Sequence, residues 1–195
     1  APAPRTPIFI TAKGSPNRPA TARGALRSKA QRDHGPVVDR VSVPFEELEA
    51  DPPKKLDLFI MRDFLDRTLC AALIERIERQ RRPSTIADDT GIASFRTSET
   101  CDLDWRDPVV ATVDSRIAQL LGLPLAASEP LQGQRYAPGQ EFRPHTDTFE
   151  PGRYDFLVHT ADRGQRTWTA MCYLNEPEDG GATRFKAIGK TVQPE

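Results

Sequence analysis

The sequence predicts an α+β domain with a mostly β core. Two observations carry this. The first half holds two stretches with helical apolar spacing and recognisable start and stop signals, and after Pro124 the composition turns to short alternating runs punctuated by Gly, Pro and Asp. Two helices written before a strand-rich segment buttress a sheet. At 195 residues there is room for one substantial domain with a sizeable core, preceded by a tail.

Residues 1–36 mix Ala, Pro, Arg, Ser and Gly and carry Arg5, Lys13, Arg18, Arg23, Arg27, Lys29 and Arg32 against the single acid Asp33. With almost no apolar periodicity they offer little burial to offset the entropy of ordering. They are expected to form a basic disordered tail or linker, with 37–195 as the domain. Such a tail can recruit an acidic partner, although the net charge of -1 for the whole chain points to none. Val37-Val38 and Val41-Ser42-Val43 are short apolar runs before Pro44, and Pro52-Pro53 is a breaker. Leu56 to Ile60 alternates as a strand entering the domain.

The first helix follows, with Asp66 as N-cap and an apolar stripe of Leu69, Cys70, Leu73, Ile74 and Ile77. Glu75 and Glu78 stand four residues before Arg79 and Arg82, and Pro83 stops it. Ser84 to Asp104 is polar and irregular, a loop or short hairpin whose one distinctive phrase is Phe95-Arg96-Thr97-Ser98-Glu99. A second helix is marked by Asp107 as N-cap, Pro108 at its first position, apolar Val109, Val110, Val113, Ile117, Leu120 and Leu121, and Gly122 as stop.

Beyond Pro124, Leu131 to Tyr136 is expected as a strand, Ala137-Pro138-Gly139 as a turn and Gln140 to Asp147 as a second strand. Residues 148–164 are expected as a long loop. Thr167 to Leu174 is a clear strand, with Thr169, Met171 and Tyr173 on one face and Trp168, Ala170, Cys172 and Leu174 on the other. The second face suits packing on a helix, and the first, with two hydroxyls and a thioether, suits a small polar ligand. Asn175 to Gly181 is an acidic turn, and Ala182 to Phe185 starts another strand.

Cys70, Cys101 and Cys172 are odd in number and unpaired in spacing, which argues against a disulfide framework or a Cys-based zinc site and suits a reducing, cytoplasmic setting. No apolar run approaches the ~18 residues of a membrane span, so no membrane partner is expected. The first residue is Ala, and Thr191 to Glu195 stop without a helix or polar tail, so the natural chain is expected to extend at both ends.

The phrase that carries chemistry is His145-Thr146-Asp147. On an extended segment these two side chains share a face, and a nitrogen and a carboxylate converging on one point are two sides of a 2-His-1-carboxylate facial triad for Fe(II). Alone, the phrase occurs readily by chance, and an ordinary polar pair is the plainer reading. Its surroundings are more specific: Arg135-Tyr136, Pro138-Gly139-Gln140, Pro144-His145-Thr146-Asp147, Gln165-Arg166, Thr169, Tyr173-Leu174-Asn175, Gly180-Gly181, Thr183 and Phe185. In order and spacing this set resembles the Fe(II)- and 2-oxoglutarate-dependent dioxygenases of the prolyl 4-hydroxylase-like group.

The resemblance implies a double-stranded β-helix, or jelly-roll, flanked by the N-terminal helices. It implies that His145 and Asp147 are catalytic metal ligands and that Tyr136, Thr169 and Tyr173 line the 2-oxoglutarate pocket. Arg96 and Ser98 resemble residues of the family's substrate-binding loop, with an ordinary polar turn as the alternative. Phe142 stands where relatives often have Tyr. The cofactors implied are Fe(II), 2-oxoglutarate and O2, with ascorbate as an accessory, and the reaction is hydroxylation of an unactivated C–H, the family-weighted substrate being a peptidyl proline. A peptide or protein is the expected partner, a small molecule is an alternative, and nucleic acid is not expected.

The family's distal His, and the Lys or Arg that pairs with the far carboxylate of 2-oxoglutarate, have no counterpart before Glu195. His159 lies where no family ligand falls, and His34 sits in the tail. The 195-residue stretch is therefore expected to be a jelly-roll truncated at its C-terminus and a poor enzyme as it stands. A binding module that keeps the scaffold without catalysis is the competing reading.

Overall fold

In a computed structural model, residues 8–14, 38–44, 55–85, 94–152, 154–161 and 164–195 are described. Their elements are β1 (Ile8–Gly14), β2 (Val38–Pro44), β3 (Lys55–Met61), α1 (Arg67–Gln80), β4 (Arg82–Pro83), β5 (Glu99–Asp102), α2 (Pro108–Leu121), β6 (Gln132–Arg135), α3 (Tyr154–Thr160), β7 (Trp168–Tyr173), β8 (Thr183–Phe185) and β9 (Lys190–Val192). Two 3-10 turns, Leu125–Ala127 and Lys186–Ile188, complete the set.

Both long helices begin and end for the reasons written in their sequences. The Asp66 carboxylate accepts from the Leu69 N–H and caps α1; Asp107 accepts from Val109 N–H and caps α2, which opens on Pro108. Gly122 closes α2 at φ 68°, donating its N–H to the carbonyls of Ala118 and Gln119. α1 ends at Gln80, three residues before the expected stop at Pro83. Arg82–Pro83 is then an edge strand against Glu99 and Thr100. This changes the charge pairing: Glu75 meets Arg79 as spaced, but Glu78 meets Arg81 and Arg135, and Arg82 reaches Asp102 across the sheet.

The main sheet has the order β4-β5-β6-β1-β7 and is antiparallel throughout. β2 and β3 form a separate antiparallel pair, joined to β7 through Phe59, whose ring stacks on Trp168 at 6.3 Å. β8 and β9 form a short hairpin. α1 and α2 cover one face, where Leu73, Ile77, Val110, Val113 and Ile117 pack with Cys101, Leu103, Leu131 and Leu174 into the core. Ala170 and Cys172 of β7 pack against that core, as the alternation of the strand predicts, and burial pushes the Cys172 thiol up to about 12. At Gly133 of β6, a Cβ would stand 2.2 Å from Ile77 Cγ1, so the close approach of α1 to the sheet requires glycine there.

Three expectations need correction. Ile8–Gly14 lies within the stretch expected to be disordered, yet its backbone is hydrogen-bonded between β6 and β7; Ile-Phe-Ile-Thr is a β-branched and aromatic run, the signal that was passed over. The rest of 1–36 lies outside the described residues. The long loop at 148–164 contains α3. The strand expected over Gln140 to Asp147 shrinks to one isolated bridge, Arg96 with Phe142.

Candidate active site

The site begins where β6 turns. Ala137 to Gln140 close a turn through the Gln140 N–H on the Ala137 carbonyl at 3.0 Å, with Gly139 at φ 81°. The chain then runs beside residues 95–97: Thr97 N–H donates to the Glu141 carbonyl at 3.0 Å and Arg143 N–H to the Phe95 carbonyl at 2.9 Å. The pairing stops at Pro144, which has no N–H to donate. A bend at Pro144 precedes His145 and another holds Asp147, so irregular backbone, not strand alternation, brings them together.

They do converge. His145 Nε2 stands 3.8 Å from Asp147 Oδ1, with side chains 33% and 27% exposed. His145 Nδ1 lies 2.7 Å from the Arg143 carbonyl oxygen, which can only accept, so Nδ1 carries the proton and Nε2 of the neutral ring presents a lone pair. Nε2 and a carboxylate oxygen, both acceptors, thus face each other. Either a proton on the ring or a metal ion between the two would satisfy such a pair.

The imidazole is also held by rings. Phe142 stacks on it with centroids 3.6 Å apart and planes 18° apart, and Phe95 meets Phe142 edge-on at 5.9 Å. The Arg96 guanidinium lies 4.7 Å from the Phe142 centroid. Arg96 donates to Ser98 Oγ at 3.2 Å, to Thr100 Oγ1 at 2.9 Å and to the Thr85 carbonyl at 3.0 Å. Its burial lowers its pKa, partly opposed by the charges of Tyr136 and Asp147.

Ser98 is 2% exposed and holds Arg96 from within, bonding Ser84 Oγ at 2.9 Å. The Tyr136 hydroxyl donates to Gln134 Oε1 at 3.2 Å. Burial raises its pKa, while its hydrogen bond to Ser98 and the nearby Arg96 charge oppose that rise. Arg96, Ser98, Tyr136, His145 and Asp147 are therefore linked through shared contacts into one neighbourhood.

Thr169 joins them from β7. Its hydroxyl donates to Asp147 Oδ2 at 2.6 Å, from the strand face expected to suit a small polar ligand. Tyr173 shares that face about 13 Å farther along. Its hydroxyl is turned to the β8–β9 hairpin, where it meets Thr183 Oγ1 at 2.7 Å and the Val192 carbonyl at 3.3 Å.

Gln165 and Arg166, quoted in the sequence without a role, brace the segment after Asp147. Gln165 clamps the backbone N–H and carbonyl of Phe149 at 2.9 and 2.7 Å. Arg166 pairs with Glu129, covers the Phe149 ring at 4.2 Å and reaches the Asp147 carbonyl at 3.4 Å. His159, in α3, stacks on Phe149 at 4.8 Å. Glu129 and Phe149 were missed because their partners lie 37 and 16 residues away in sequence and no local pattern links them.

The donor chemistry suits Fe(II) as two ligands of three. An imidazole nitrogen and a carboxylate oxygen 3.8 Å apart are within the span of one ion with bonds of about 2.0–2.2 Å. Among the described residues no third His, Cys, Asp or Glu completes a metal-binding group with them.

Comparison with known proteins agrees with this reading. Residues 131–195 match the 2OG-Fe(II) oxygenase superfamily. The chain is 34% identical over 137 residues to probable prolyl 4-hydroxylase 3 of Arabidopsis thaliana, covering 66% of this chain and 45% of that protein. It is 35% identical over 130 residues to prolyl 4-hydroxylase subunit alpha-2 of Gallus gallus, covering 62% and 24%. With the Caenorhabditis elegans subunit alpha-2 it is 28% identical over 173 residues, covering 88% and 32%. The chain spans less than half the length of these relatives, and no solved structure matches it. Over residues 131–195 the chain is therefore similar to the 2OG-Fe(II) oxygenase superfamily, and over a longer stretch it is similar to prolyl 4-hydroxylases.

Proposed function

We propose that the protein is an Fe(II)- and 2-oxoglutarate-dependent dioxygenase that hydroxylates peptidyl proline. The observation that carries this is the pair of facing acceptors, His145 Nε2 and Asp147 Oδ1, with the imidazole tautomer set by the Arg143 carbonyl. His145 and Asp147 would hold the metal. Fe(II) bound there would supply oxidation of an unactivated C–H, with 2-oxoglutarate and O2 consumed and succinate and CO2 formed, and ascorbate would keep it reduced.

The chain's own residues bind and orient. Met171 and Tyr173 form the wall of the cosubstrate site on β7, and Tyr136 closes it from the end of β6. Arg96 presents a cation on a peptide-facing loop, while Ser98 and Thr100 keep it in place from below. The antiparallel order of the main sheet and the β8–β9 hairpin are consistent with a jelly-roll assigned to 37–195, to which β1 adds a strand. Cys70, Cys101 and Cys172 are free thiols, which favours a reducing, cytoplasmic setting. Among the described residues no helix is long and apolar enough to cross a membrane.

The test uses the natural protein with Fe(II), 2-oxoglutarate, ascorbate, O2 and a proline-rich peptide. Succinate and a peptide one oxygen atom heavier are expected, and H145A and D147A should abolish both. Peptide binding without succinate would establish the binding-module reading instead. Succinate with no change in the peptide would point to a different substrate.

A further inference from the structure

The geometry points to Thr169 as the positioning residue for the Asp147 carboxylate, a role distinct from the cosubstrate contact that the family resemblance implies. The inference rests on the metal reading above. Thr169 lies on β7, whose backbone is held along its length by β1, from Phe9 opposite Tyr173 to Gly14 opposite Trp168. A β-branched side chain on such a strand has few χ1 options, so its hydroxyl is delivered to one place. That place is Asp147 Oδ2, at 2.6 Å. A hydroxyl-to-carboxylate bond of this length is charge-assisted and among the stronger side-chain hydrogen bonds.

Two consequences follow from counting donors and acceptors. With Oδ2 engaged by Thr169, the carboxylate plane is set and Oδ1 is the oxygen turned to His145 Nε2. The carboxylate is thereby prepared to bind a metal through one oxygen, leaving coordination positions open. Second, a threonine hydroxyl has one proton. Given to Asp147, it is not available to a carboxylate of 2-oxoglutarate, which can only accept. The side of the cosubstrate site nearest the pair must therefore draw its donors elsewhere.

The two ligands are held by different means. His145 is set by the Arg143 carbonyl and the Phe142 ring, both from its own segment. Asp147 is set from β7, 22 residues on. Thr169 thus ties the segment bearing the pair to the sheet.

The test is Mn(II) binding to the natural protein, followed by the electron paramagnetic resonance of free Mn(II), with the KM for 2-oxoglutarate read at saturating metal. T169V keeps shape and removes the donor; T169S keeps the donor. T169V is expected to weaken Mn(II) binding about 10- to 100-fold, with KM changed by less than about twofold, and T169S to restore affinity to within about threefold. T169V binding Mn(II) as tightly as the natural protein would overturn the inference, as would a raised KM with metal affinity intact. Should T169V fail to fold by circular dichroism, T169S decides, because a serine that folds but loses Mn(II) affinity refutes a role carried by the hydroxyl. If D147A binds Mn(II) as well as the natural protein, the metal reading itself fails and this inference with it.

Discussion

Phe142 sits between two side chains that carry the proposed chemistry. Its ring lies 3.6 Å from the His145 imidazole and 4.7 Å from the Arg96 guanidinium, and two occupants at those distances need opposite faces. Here the stacked ring does its work without a hydroxyl, by limiting imidazole rotation about the bond that the Arg143 carbonyl leaves partly free. Aromatic contacts of this kind contribute about 0.5–1.5 kcal/mol beyond burial, so F142L is predicted to weaken Mn(II) binding roughly two- to tenfold. The His145 ring-proton resonances should lose their ring-current shift in the same variant. Resonances that do not move would show that the stack is absent in solution.

At the scale of elements, Asp107 does two jobs of which one was legible. As N-cap of α2 it follows from Asp-Pro before an apolar run. Its Oδ2 also accepts from Arg76 Nε of α1 at 2.7 Å, tying the two helices over the sheet. No sequence pattern links residues 31 positions apart. The Arg76 hydrogen bond, opposed by partial desolvation and helped by the Val109 N–H, holds the Asp107 carboxyl below its ordinary 3.8.

A depressed folded value means the contribution to stability is complete above 3.8 and is lost as the pH falls below it through the folded value. The urea midpoint is predicted to drop over that acidic window. D107N, which can still cap α2 but carries no charge, should have a lower midpoint at neutral pH and a shallower acid slope. An acid slope identical in both proteins would remove Asp107 from the account.

For the whole molecule, the main finding is that the sheet is completed by its first strand. β1 separates β6 from β7, so among the described residues the strand pairing that joins β7, with Thr169, to the β6 side of the sheet runs through Ile8–Gly14. Deleting residues 1–14 would leave the facing edges of β6 and β7 unpaired, and unpaired edges recruit other chains. A lower urea midpoint and concentration-dependent aggregation are predicted for that deletion, measured by fluorescence and light scattering. A deletion as stable and monodisperse as the parent would show that β1 adds nothing to the sheet.

The sequence by itself determined what depends on near neighbours. Both helices, their caps at Asp66, Asp107 and Gly122, the two faces of β7 and the turn at Gly139 follow from local periodicity and backbone preference. His145 and Asp147 were legible as a pair because they are two residues apart, although the strand expected to align them is absent and irregular backbone with bends at Pro144 and Asp147 does it instead. Only the tertiary structure decided the partners. Thr169 on Asp147, Phe142 and Arg96 about His145, Arg166 with Glu129, and β1 between β6 and β7 join residues from 22 to well over 100 positions apart in most cases. Contacts of that kind are set by which faces the core buries together, and short-range pattern does not encode them.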